Sequence, residues 1–168
     1  MSLSMYQASV PVFTRILGNL SKILDKAAAF ADLRGIEPSV LITDRLAPDM
    51  LPLSRQVQIA ADSALRGCAR LAGVDFPSNP DVETTFGELQ ERLAKTLAFL
   101  ATLSAGQIDG GEERVVMLPM RGGEVTFTGQ TFLLNFALPN FYFHVTTAYL
   151  ILRHNGVEIG KADYIGGL

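Results

Sequence analysis

Cysteine, histidine and tryptophan are nearly absent from this sequence. Its 168 residues include one cysteine, Cys68, two histidines, His144 and His154, and no tryptophan. A lone cysteine excludes an internal disulfide, a Cys-x-x-Cys redox pair and a cysteine-built zinc site, and it fits a reducing, cytoplasmic setting. A block of like charge is also missing. The 14 Lys and Arg are mixed with 17 Asp and Glu, for a net charge of −3 and a pI near 5.3. That leaves no basic footprint for a nucleic-acid backbone. Gly110-Gly111 and Gly122-Gly123 are not followed by Gly-Lys-Ser/Thr, and no G-x-S-x-G occurs, which excludes a phosphate loop and a hydrolase nucleophile elbow. Met1-Ser2-Leu3 carries no secretory pattern and reads as a leader before the natural start, so the fold is read as a single domain over residues 4–168.

What is present is a long uncharged stretch. Val125 to Leu152 holds no Asp, Glu, Lys or Arg, which is long enough to cross a bilayer. Gln130, Asn135, Pro139, Asn140 and His144 lie inside it, and hydrocarbon imposes a high desolvation cost on amides and imidazole, so a buried bundle helix with no membrane contact is the better reading. A helix from about Pro139 to Asn155-Gly156 places Phe141, Val145, Ala148 and Leu152 on one stripe. Asn140, His144, Thr147 and Ile151 form the adjoining one.

The other helices follow from the same period. Phe13, Ile16, Leu17, Leu20, Leu24 and Ala27 mark a first helix, starting near Ser4 or Ser9 because of Pro11 and ending at Gly35. Residues 36–48 hold two prolines and read as a linker, with Val40 to Ile42 briefly extended. Asp49 is a candidate cap for a second helix, with Pro52 in its first turn and Gly73 as its stop. Thr85 and Glu88 form a capping box for a third, whose wet face pairs Glu88 with Arg92 and Glu91 with Lys95. Alternation around Gly122-Gly123 predicts a hairpin with Leu118 opposite Phe127 and Met120 opposite Val125. The tail from Val157 reads as extended, with Tyr164 and Ile165 docked.

Candidate chemistry centres on His144, flanked one turn away by Asn140 and Thr147. A facing group must come from another helix, and Asp62 is the only acid in the body of the second, four residues after Gln58. Asp62, Asn140, His144, Gln58 and Thr147 are therefore the expected ligand pocket. Arg66 offers Asp62 a competing surface pair, and a hydrogen-bonded core role competes for His144. His154 lies about 15 Å along the axis from His144 and cannot share a metal with it. Cys68 falls on the apolar, small face of the second helix and reads as core, while Phe141, Tyr142 and Phe143 serve the core or a dimer contact.

Four segments, RLAPDM (from Arg45), RQVQIA (from Arg55), TFGELQERLAKTLAFL (from Thr85) and NFYFHVTTAYLILRHNGVEIGKADYIG (from Asn140), carry a resemblance. The chain resembles an uncharacterised bacterial domain-of-unknown-function family, which is similar to the DinB/YfiT-like group of four-helix metalloenzymes. That resemblance implies an all-α four-helix bundle in up-down-down-up order, here with the hairpin inserted between the third and fourth helices, and a homodimer. The group holds its metal with one histidine from the second helix and an H-x-x-x-H pair on the fourth. His144 matches the second histidine of that pair, Asn140 stands at the first, and the second helix has none. The implied function is a small-ligand-binding or non-catalytic domain with an incomplete metal site. The alternative is a divalent-metal enzyme (zinc or nickel) of thiol-transferase or hydrolase type, using His144 with Asp62.

Overall fold

A computed structural model describes residues 3–167 of the chain, and most of them are helical. The first stripe forms α1 (Val10–Arg34), with Phe13, Leu17, Leu20, Leu24 and Ala27 fully buried. Pro11 occupies its first turn, where a missing N–H leaves no acceptor unserved. The Ser4–Gln7 box forms as well, as a separate turn upstream: the Gln7 N–H donates to Ser4 Oγ (3.2 Å) and the Ser4 N–H to Gln7 Oε1 (3.1 Å). Gly35 (φ 62°) and Gly73 (φ 68°) adopt the left-handed conformation that ends α1 and α3 (Leu53–Ala72).

Between them the linker reading is corrected. Pro38–Thr43 is a short helix, α2, because Pro38 presets a helical φ at its first turn while adjacent Leu41 and Ile42 both find the core. Pro52 lies just before α3 in an extended conformation, outside the helix, and no side chain caps that helix start.

α4 (Phe86–Leu100) begins on the expected box, with the Glu88 N–H donating to Thr85 Oγ1 at 3.1 Å. Glu91 and Lys95 stand 3.9 Å apart on the wet face. Glu88 and Arg92 do not pair. Glu88 accepts from the backbone N–H groups of Thr84 and Thr85, and Arg92 turns inward to 2 % exposure. After the short α5 (Ala105–Ile108), β1 (Val115–Met120) and β2 (Gly123–Thr128) form the hairpin. Its turn is Arg121-Gly122, one residue earlier than expected, so Leu118 faces Val125 and Val116 faces Phe127. The positive-φ Gly123 (129°) closes the ladder opposite Met120. The set of residues on each face is unchanged, because the shift preserves the period of two. Val116 and Leu118 are buried against the helices.

The uncharged stretch becomes helical ten residues before Pro139. It comprises α6 (Gly129–Phe132), a π turn (Leu133–Ala137) and α7 (Leu138–His154). Thr128 caps the start through the Thr131 N–H. Pro139 cannot donate to a carbonyl four residues back, and its ring crowds that carbonyl. The backbone widens just before it, and the Leu138 N–H reaches Leu133 O, five residues back. A Cβ on Gly129 would collide with the Gly111 carbonyl, and this close approach fixes the hairpin-to-helix joint. No described helix is long and apolar enough to cross a membrane.

Side-chain contacts give the helix directions pair by pair. Gln56 meets His144, Ser63 meets Asn140 and Gly67 approaches Ala137, so α3 and α7 run antiparallel. Phe13 meets Phe141 and Phe30 approaches Gly156, so α1 and α7 run in the same sense. Arg55 bonds Asp81 and Gln58 bonds Glu83, so the connection after α3 returns along it toward its first turns. The tail is helical where extended chain was expected: α8 (Lys161–Ile165) starts where Asp163 accepts the Gly160 N–H at 2.8 Å. It docks on α1 through Lys26–Asp163 (2.6 Å) and through Asn19, whose Nδ2 donates to Tyr164 O. Tyr164 is half-buried and Ile165 exposed.

Candidate functional site

One face of α3 carries Arg55, Ile59, Asp62, Arg66 and Arg70, spaced by four, three, four and four residues. Opposite it, α4 delivers Arg92. The Arg92 Nη2 donates to Asp62 Oδ1 (2.7 Å) and Asp81 Oδ1 (3.0 Å), while Nη1 donates to Glu83 Oε1 (2.8 Å) and Pro80 O (3.2 Å). Asp62 Oδ2 pairs with Arg66 (2.8 Å) and Asp81 Oδ2 with Arg55 (2.5 Å). Burial pulls the Arg92 pKa down, but Glu83 and Asp62 more than offset it and hold the guanidinium above its ordinary value. Burial pushes Asp81 up less than Arg55 and Arg92 hold it down. Arg70 is different. Among the described residues it bonds only the Arg66 carbonyl (3.4 Å), and it lies over the Phe76 ring; burial with Arg66 nearby lowers its pKa.

Beside this charged face is a cavity of about 330 Å³. Its near wall is the α3 face with Ser63 and Gly67. Its far wall is Leu118, Pro119 and Met120 of the hairpin with Phe132, Phe136 and Ala137 of the helix that follows, and Asn140 closes one side. Phe132 stacks on Phe136 at 6.0 Å and meets Phe127 edge-on at 6.1 Å, so the apolar wall is braced from behind. Gly67 lies beneath it against Ala137, where a Cβ would make an ordinary contact at 3.6 Å.

The five side chains expected to share one pocket are divided. Asp62 and Asn140 both line this cavity, and Asn140 Nδ2 donates to Ser63 Oγ at 2.8 Å. Gln58 turns away, taking Arg55 on its oxygen (2.7 Å) and giving its amide to Glu83 (2.8 Å). Thr147 donates to Phe143 O within its own helix (2.8 Å). His144 faces Gln56, with Nδ1 and Gln56 Oε1 2.7 Å apart. Asp62 is not its partner, because both Asp62 oxygens are held by guanidinium groups. The Asp62–Arg66 pair, expected as the competing surface reading of Asp62, forms, whereas Arg55, Arg70 and the inward role of Arg92 were not expected from the sequence. For Arg55 and Arg70 the available signal was their helical spacing around Asp62.

Gln56 Nε2 donates to Leu51 O (2.9 Å), which can only accept, so Gln56 presents oxygen to the imidazole and Nδ1 carries the proton. Burial holds the His144 pKa below 6.5. As pH falls, protons therefore bind the unfolded chain first, and the stability this residue contributes is intact above the ordinary histidine value and lost through the folded one. Thermal denaturation between about pH 7.5 and about pH 5.5 should show stability falling with pH. His144→Asn, which keeps a donor at the Nδ1 position, should flatten that slope. An unchanged slope would assign it to other groups.

Among the described residues no three His, Cys, Asp or Glu side chains are grouped so that they could hold a metal ion, and the three carboxylates around Arg92 are occupied by its guanidinium. The donor chemistry agrees. The two positions of the expected pair hold an imidazole and an amide, answered from α3 by Gln56 and Ser63, and burial pushes the Cys68 thiol far up. These residues do not fit a resident divalent metal. Of the three aromatics in sequence, Phe141 is fully buried and Phe143 is 56 % exposed.

Residues 5–165 match the family described as Domain of unknown function (DUF1993). The fold is also similar to a solved structure, the crystal structure of a DinB family member protein from Shewanella denitrificans. The TM-score is 0.91 at 44% identity, covering 97% of this chain and 92% of that one. No curated protein matches the chain.

Proposed function

We propose that this chain, which belongs to the DUF1993 family, works as a single small-ligand-binding domain in which the metal site of DinB-like bundles is incomplete. The observation that carries this reading is the cavity between α3, the hairpin and the Phe132–Phe136 wall. Its volume falls at the lower end of small-molecule sites, and it combines apolar side chains on one wall with placed polar groups on the other. Asp62 and Asn140 act here as positioning groups: Asp62 fixes Arg66 and Arg92, and Asn140 fixes Ser63. The hydrogen bonds that His144 and Asn140 donate to Gln56 and Ser63 hold the two helices together at the α7 positions where the pattern of the wider DinB-like group has metal ligands.

An NMR-detected screen of a small-fragment library, with neutral and charged members, tests the reading. Shifts should cluster at Ser63, Phe136 and Asn140. A library with no binder there, or with binders only elsewhere, would overturn it. The same sample reads a homodimer by light scattering. Its motivation is that Phe143 and Leu150, both exposed, lie seven residues apart on one face of α7. A Phe143→Glu variant should then halve the mass, and a monomeric parent chain would remove the idea.

A further inference from the structure

We infer that the cavity takes a small monocarboxylate with an apolar body, its head held by Arg70, Arg66 and Ser63. The inference rests on the cavity being a ligand site and assigns the class of ligand.

Charge decides the head group. The cluster beside the cavity holds four guanidinium groups, Arg55, Arg66, Arg70 and Arg92, and three carboxylates, Asp62, Asp81 and Glu83. Four minus three leaves one positive charge, and the geometry locates it. Every carboxylate is bound to at least one guanidinium, whereas Arg70 has no carboxylate partner among the described residues. Neither acid on the cavity wall is free to receive a cation, so a cationic ligand would have to displace an arginine from Asp62 or Asp81. An anion meets no such competition.

Geometry supplies the rest. Arg66 and Arg70, one turn apart, both lie against the Phe76 ring, at 5.9 and 5.4 Å, a cation–π contact that restrains both side chains. Arg66 commits Nη2 to Asp62 and keeps other N–H groups for a ligand. Ser63 Oγ accepts from Asn140, so its hydroxyl hydrogen is left to donate. Guanidinium and hydroxyl donors together suit a planar carboxylate. A single surplus positive charge matches one carboxylate better than a doubly charged phosphate ester. The side chains of the opposite wall, Leu118, Phe132 and Phe136 among them, are apolar, which suits an apolar body on the ligand.

Isothermal calorimetry on the full chain with phenylacetate and hexanoate, against phenylacetamide and hexanamide, tests the assignment. The acids should bind about tenfold or more tightly than their amides, the difference expected for hydrogen bonds to a charged group. Arg70→Gln should erase that preference, and Arg70→Lys, which keeps the charge, should retain part of it. Arg70 has no ion pair to lose among the described residues, so both variants should melt close to the parent protein. Equal binding of acids and amides would overturn the carboxylate inference and leave the ligand-site reading standing. An acid preference unchanged in Arg70→Gln would overturn the role of Arg70. Failure of all four probes, in a protein whose cavity still binds other fragments, would overturn the inference alone.

Discussion

Replacing Arg92 by alanine should cost about 3–5 kcal/mol of folding stability, the range for breaking a buried ion pair by removing one partner. The guanidinium is 2 % exposed and bonds Asp62, Asp81, Glu83 and the Pro80 carbonyl at once. Without it, three carboxylates from α3 and the following connection face one another across a partly buried space. Arg66 and Arg55 still neutralise Asp62 and Asp81 in part, while Glu83 retains only the neutral Gln58 amide. Arg92→Lys should recover less than half of the loss, because an ammonium cannot serve acceptors on two sides as the planar fork does. Urea denaturation at neutral pH measures both variants. A loss below about 1 kcal/mol for the alanine variant would place the cluster with ordinary surface pairs.

A loss of similar size from a different cause should follow Phe141→Ala, about 3–5 kcal/mol. Phe141 is fully buried where α7 meets α1, and its ring meets Phe13 edge-on with centroids 4.8 Å apart. Truncation removes the transfer free energy of the ring and leaves a void that long, well-packed helices can close only in part. Phe141→Leu should restore most of the loss, since apolar volume matters more there than the ring. The two effects separate in salt. The Arg92→Ala deficit should change with ionic strength and the Phe141→Ala deficit should not. If leucine were no better than alanine, the edge-on contact between the rings would outweigh the apolar volume.

The contrast between these residues shows what could be read in advance. Phe141 was legible because the apolar stripe of α7 repeats at the helical period, and burial of such a stripe follows from the hydrophobic effect whatever the partner. Arg92 was not. Four residues after Glu88, it matched a solvated ion pair, and nothing local indicates that Glu88 is occupied with the helix cap or that a connection will return with Asp81 and Glu83. His144 was legible as an inward-facing polar group, but its partner was not. Gln56 and Asp62 are six residues apart on α3 and point to different sides, and only the docking of α7 selects between them.

The sequence by itself determined that the chain is helical with one hairpin. Its stops at Gly35 and Gly73, the box at Thr85–Glu88 and the two faces of the strands all depend on groups a few residues apart, whose energetics need no distant partner. The tertiary structure alone decided the cavity, the arginine cluster and the helical path through Pro139. Each depends on which elements pack together, and a buried charge or a widened turn is stable only when groups distant in sequence supply its hydrogen bonds.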